Sequence, residues 1–111
     1  MSNFELFSFG SSDCLNLEEF SPKNEFFISV EFDLKKRNEE GIMTFFFFLA
    51  TKEGYYNQPY HNELEHIVIV ERYSFEFVRG MLDKKVVNKI IELSDKQLLE
   101  YLYSNFNFDD D

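Results

Sequence analysis

From Glu25 to Lys35 the chain alternates. Phe26, Ile28, Val30, Phe32 and Leu34 fall on one side at period two, and Phe27, Ser29, Glu31, Asp33 and Lys35 fall on the other. That pattern predicts a strand with one face on a core and one in water. Lys36 to Gly41 is polar and ends in glycine, which suits a hairpin loop, and Ile42 to Ala50 then returns as the second strand. The returning strand contains Phe45-Phe46-Phe47-Phe48. Successive strand side chains point to opposite faces, so Phe45 and Phe47 pair on one side and Phe46 and Phe48 on the other. One pair is expected in the core beneath the C-terminal helices. The other shares the face of Ser29, Glu31 and Asp33 and needs cover, because exposed apolar patches usually mark contacts. Thr51 to Leu64, a second copy or a partner could supply that cover, and Thr51 to Leu64 is the expected one.

Elsewhere the pattern is less regular. Asn3 to Phe9 alternates loosely and reads as a strand broken by Gly10-Ser11-Ser12-Asp13. Asn16 to Phe20 suits one helical turn capped by Asn16, and Ser21-Pro22 stops it. Thr51 to Leu64 mixes Gly, Pro, Asn and three tyrosines and reads as a long loop with room for a short turn of structure. His66 to Val70 is apolar on both faces and is expected to be a central strand.

The period then changes. Val78, Leu82, Val86, Ile90 and Leu93 line one side of a helix that Ser74 caps. Gly80 inside it costs about 1 kcal/mol relative to alanine. Ser94-Asp95-Lys96-Gln97 has capping-box spacing and opens a second helix with Leu98, Leu102 and Phe106 on one face. Asp109-Asp110-Asp111 reads as a solvated end. Strands come first and two helices last. The expected fold is α+β, an antiparallel sheet of four to five strands with two C-terminal helices packed on one face.

Composition narrows the function classes. The 111 residues suit a single domain spanning 1–111. With 44% apolar residues, 15 Phe and 6 Tyr, the chain has ample surface for one core and no signature of disorder. Twenty-one Asp and Glu against eleven Lys and Arg give a net charge of −10. Phosphate backbones and anionic lipids repel such a chain, so nucleic acid and membrane are disfavoured as partners, whereas a basic protein would be steered in. The longest apolar run is six residues, Phe45 to Ala50, against about 20 for a spanning helix. No basic n-region marks a signal peptide, and the single Cys14 fits a reducing compartment.

No catalytic constellation emerges, and no cofactor is expected. His61, Glu63 and Glu65 would share a side if extended, with His66 opposite, but a polar loop leading into a strand is the stronger reading than a metal site. Phe9-Gly10-Ser11-Ser12-Asp13-Cys14 lacks the second glycine of a nucleophile elbow. Four dispersed glycines cannot cradle a phosphate.

A resemblance covers almost the whole chain. It is carried by Ser12-Asp13, Leu17-Glu18, Phe20, and Pro22 followed by Phe26. The hairpin from Phe26 to Ala50 with its Gly41 turn continues it, then His66-Ile67-Val68-Ile69-Val70-Glu71-Arg72-Tyr73. Phe106-Asn107-Phe108-Asp109-Asp110 closes it. These features resemble the eighth immunity-protein family of bacterial polymorphic toxin and contact-dependent growth inhibition systems. The resemblance implies a cytoplasmic antidote, not an enzyme, that binds and blocks a cognate toxin domain, commonly a nuclease. A nuclease is basic, and opposite charge speeds association. Loops that combine acids with tyrosine are the expected contact: Glu53, Tyr55, Tyr56, Tyr60, Glu63 and Glu65, with Glu39 and Glu40 at the hairpin turn. The alternative is a small acidic structural or adaptor protein that forms a weak homodimer through a sheet face.

Overall fold

The computed structural model describes residues 1–110. Five strands form one sheet: β1 (Phe4–Gly10), β2 (Phe27–Lys36), β3 (Ile42–Ala50), β4 (Ile67–Ile69) and β5 (Asn107–Asp109). β1, β2 and β3 are sequential antiparallel neighbours. The far edge of β3 is shared. β4 runs parallel to its Phe48–Ala50 half, and β5 runs antiparallel to its Thr44–Phe46 half. The fold is α+β, with the C-terminal helices on the core face, as the element order predicts.

The alternation in β2 and β3 sets the layers. Phe26, Ile28, Val30, Phe32 and Leu34 are all buried, with Phe45, Phe47 and Leu49 beside them. The core pair of the phenylalanine run is therefore Phe45 and Phe47. Phe32 packs edge-on against Phe106 with centroids 4.9 Å apart, and Phe47 meets the same ring at 6.0 Å. That places the end of the last helix directly over the hairpin.

α2 (Phe75–Leu82), a π-helical segment (Asp83–Val87) and α3 (Asn88–Glu92) form one continuous helical stretch. Ser74 caps it, accepting from the Phe77 N–H. Val78, Leu82, Val86 and Ile90 are buried as the spacing predicts. The widened turn has a packing reason. Residues four apart overshoot one α-helical turn by about 40° at each step. A turn closed i to i+5, here Asn88 N–H to the Asp83 carbonyl, absorbs part of that drift and keeps Val86 and Ile90 on the core side. The Lys85 carbonyl in this segment accepts the Tyr101 hydroxyl at 2.8 Å. α4 (Asp95–Asn105) opens with the expected capping box, Ser94 and Gln97 bonding reciprocally, and buries Leu98 and Leu102.

Several expectations are corrected. His66 to Val70 is not a central strand. Only Ile67–Ile69 pairs, at an edge, and Ile69 is 48% exposed. His66 itself adopts a left-handed φ of 59°, outside the strand. Asn16 caps a single hydrogen-bonded turn through its side chain, which accepts from Glu18 N–H at 2.8 Å, and no helix follows. Thr51 to Leu64 holds more structure than a loop: α1 (Lys52–Tyr56), capped by Thr51, and a 3₁₀ turn at His61–Glu63. Of the acidic tail, Asp109 lies in β5 and Asp110 is exposed, while Asp111 lies outside the described residues.

The accessible surface is 7345 Å², against about 6,500 Å² expected for a chain of this mass. The elongated shape, 42 × 29 × 24 Å, accords with the excess. So does the sheet face opposite the helices, which lies open.

Candidate functional site

The open face is built by the positions that alternate away from the core. Register places Ser29 opposite Phe48, Glu31 opposite Phe46 and Asp33 opposite Thr44. β1 slips register between Leu6 and Ser8, a bulge that sets Ser8 beside Asp33 and Gly10 beside Glu31. β5 brings Asp109 opposite Thr44 from the other side. Past Gly10 the chain stays against the sheet, because Asp13 Oδ2 accepts the Ser29 N–H at 2.6 Å.

The result is a groove of about 580 Å³. Phe46 lies in its floor. Glu31, Asp33 and Asp109 supply its charge, and no lysine, arginine or histidine lines it among the described residues. The carboxylates are held in place. Asp33 accepts the Ser8 hydroxyl at 2.8 Å on Oδ2 and the Thr44 hydroxyl at 2.6 Å on Oδ1. Glu31 accepts Ser12 at 3.2 Å and also Ser29, both on Oε2. Phe46 is held edge-on by Phe48 at 5.6 Å, and Phe48 stacks on Phe27 at 5.1 Å. The two lysines of β2 are engaged elsewhere: Lys35 lies over the Phe7 ring, and Lys36 pairs with Asp95 at 3.5 Å.

The expected cover does not reach the groove over Phe46. None of the residues lining the groove over Phe46 belongs to Thr51–Leu64. That segment is anchored at the end of the hairpin, where Thr51 N–H donates to the Phe26 carbonyl at 3.1 Å and Thr51 Oγ1 accepts from Phe26 N–H at 3.1 Å.

Part of the expected contact set comes together there. Tyr55, Tyr56 and His61 form a mutual ring cluster, with centroids between 4.9 and 5.2 Å apart. Tyr55 Oη donates to the His61 carbonyl at 3.2 Å. Tyr60 adjoins the cluster in sequence, 76% exposed, with a left-handed φ of 61°. Glu53 and Glu63 are exposed on the same segment, and Glu65 is exposed just beyond it. Glu39 and Glu40 are exposed too, but they sit at the opposite end of the hairpin, about 25–30 Å away along β3. One small partner element cannot touch both ends. The groove lies between them.

The 3₁₀ turn at His61–Glu63 removes the extended geometry that a His61, Glu63 and Glu65 metal site would require. Among the described residues no three His, Cys, Asp or Glu side chains are placed to hold a metal ion. No helix among them is long and apolar enough to cross a membrane.

The alternation of Ser29, Glu31 and Asp33 already marked one wall of the groove as a water-facing surface. The contributions of Ser8, Thr44 and Asp109 depend on strand register and on β5, for which the sequence carries no short-range signal. No family model, curated protein or solved structure matches this chain.

Proposed function

We propose that this chain is an immunity protein that binds a cognate toxin domain and neutralises it by steric and electrostatic blocking. One observation carries the reading: an open sheet face whose groove combines a fixed aromatic floor with carboxylates and no cation. Opposite charge at such a surface speeds encounter with a basic protein and fixes its orientation. A rigid aromatic in a partly desolvated hollow is the usual form of an interface anchor. The toxin chemistry that fits is one with a basic surface, such as a nuclease, and the place of action is the cytoplasm. The exposed Tyr56 and Tyr60 knuckle supplies a flanking contact.

The alternative, a homodimer through the same face, has an electrostatic cost. A two-fold axis through the groove would set the cluster of Glu31, Asp33 and Asp109 against the same cluster of the second copy, and like charges brought together repel.

The test is co-expression with the toxin domain encoded beside this chain. Co-purification and survival of the host are the expected results. Failure to retain the toxin, or a host that tolerates deletion of this chain while the toxin is active, would falsify the reading. Light scattering separates the alternative, since a strict monomer at low micromolar concentration is expected and a stable dimer would favour self-association.

A further inference from the structure

We propose that the groove over Phe46 receives an arginine side chain of a basic protein partner, the guanidinium lying on the phenyl ring between Glu31 and Asp33. This rests on the binding reading above and specifies the chemistry of its central contact.

Among the described residues the charge lining the groove is one-sided, and Lys35, two positions beyond Asp33 on the same face of β2, lies over the Phe7 ring. Glu31 and Asp33 are two residues apart on one strand, so their carboxylates rise from the same face about 6.6 Å apart at the backbone. Phe46 lies directly across from Glu31 and diagonal to Asp33. A cation on that ring is therefore flanked by an acid on its own rung and another on the next.

The bonds to these carboxylates leave acceptor capacity. An ionised carboxylate has about four lone-pair sites. Asp33 spends one per oxygen on hydroxyl donors, and both donors to Glu31 land on Oε2. Those hydroxyls also fix the carboxylates before any partner arrives, which lowers the ordering cost of binding.

Planarity selects arginine over lysine. A guanidinium stacks flat on an aromatic face and presents its N–H groups edgewise to carboxylates, whereas an ammonium is a compact, strongly hydrated point charge. The groove, at about 580 Å³, is large enough for the side chain together with neighbouring atoms of the segment that bears it.

The probe is N-acetyl-arginine amide, titrated into the isotope-labelled protein and followed by NMR, with the lysine analogue as control. Millimolar arginine analogue should shift the amides of Ser29, Asp33, Thr44 and Phe46, and the lysine analogue should shift them less. Asp33→Asn and Phe46→Ala should each remove the localised response. Unchanged dispersion of core signals such as Val30 and Leu102 verifies the fold, and Asp33→Asn serves where Phe46→Ala does not fold. No localised shift, equal shifts with the lysine analogue, or shifts that persist in Asp33→Asn overturn the proposal.

In the toxin complex, Asp33→Asn should weaken affinity roughly 30-fold, mainly through faster dissociation. Unchanged affinity there overturns the arginine contact while leaving the immunity reading in place. A toxin that never binds, beside a clear arginine response, removes the immunity reading and leaves the subsite.

Discussion

The Ser2 hydroxyl donates to Asp95 Oδ1 at 2.7 Å across 93 positions of sequence. The same carboxylate accepts the Asn3 backbone N–H at 2.7 Å, so the first residue of α4 ties down the approach to β1. The Ser2 hydrogen bond, then that of the Asn3 backbone, holds the Asp95 carboxyl down at about 2, below its ordinary 3.8. A depressed native pKa favours the folded chain wherever the carboxylate is ionised. This contribution is therefore complete above the ordinary value and is lost as pH falls from there through about 2. The side chain keeps 28% of its accessible surface, so the effect is modest. Asp95→Asn should flatten the fall in urea midpoint across that window. An acid profile identical to that of the parent would show that the bond contributes nothing.

Tyr73 gives the opposite limb. Its hydroxyl donates to the Leu17 carbonyl, and burial, with smaller contributions from Cys14 and Glu76, pushes it up to about 12. The folded state thus favours the neutral phenol. Stability from this group is held below the ordinary value of 10 and is lost as pH rises through about 12. Tyr73→Phe should remove the latest step of the spectrophotometric tyrosine titration and reduce the alkaline loss of stability. A titration curve that keeps that step would assign it to another residue.

Two glycines should respond with opposite sign. A Cβ at Gly54 would stand 2.0 Å from the Phe26 carbonyl oxygen, whereas one at Gly80 meets nothing within 4 Å. Gly54→Ala must push α1 off the sheet end and should cost about 1–3 kcal/mol. Gly80→Ala relieves a helix-interior glycine and should add about 0.5–1 kcal/mol. Thermal melts of the two variants should move in opposite directions, and a stabilising Gly54→Ala would contradict the close approach.

The tyrosine knuckle can be separated from the groove. Replacing Tyr55, Tyr56 and Tyr60 together by alanine should weaken toxin binding while the fold persists. Tyr56 and Tyr60 are the exposed pair, and removing them alone should account for most of the loss, about 1–2 kcal/mol. Tyr55 bonds the His61 carbonyl, so its own removal acts partly by loosening the turn. Calorimetry on the double and triple variants decides, and unchanged affinity in the triple variant removes the knuckle from the interface.

Much of this architecture is legible from residue order. Strict alternation in 26–34 named the core face of β2, and the Ser94–Gln97 pattern named the start of α4, because both signals are local. The π-helical segment was hidden, since spacing by four fits an α-helix until the drift is followed over several turns. β4 misled because an apolar run tells burial, not position, and three paired residues at an edge look the same as a central strand. β5 escaped notice because Asn107-Phe108-Asp109 is too short for a period and owes its form to the edge of β3. The groove fared likewise. Its β2 wall was readable as a wet face, but its enclosure depends on the β1 bulge and on β5. Loops bring acids and tyrosines close together in sequence, whereas the groove assembles residues distant in sequence.

The shared edge of β3 also bears on synthesis. The hairpin can close as soon as Ala50 has emerged, yet the Thr44–Phe46 edge receives its neighbour only when Asn107–Asp109 is made. Throughout that interval the nascent chain presents an unpaired, phenylalanine-rich strand edge, the kind of template that recruits other strands. A ribosome-stalled chain ending before Asn107 should therefore bind holdase chaperones that the longer chain releases, and equal retention of both would argue that β4 and the helices suffice to guard the edge.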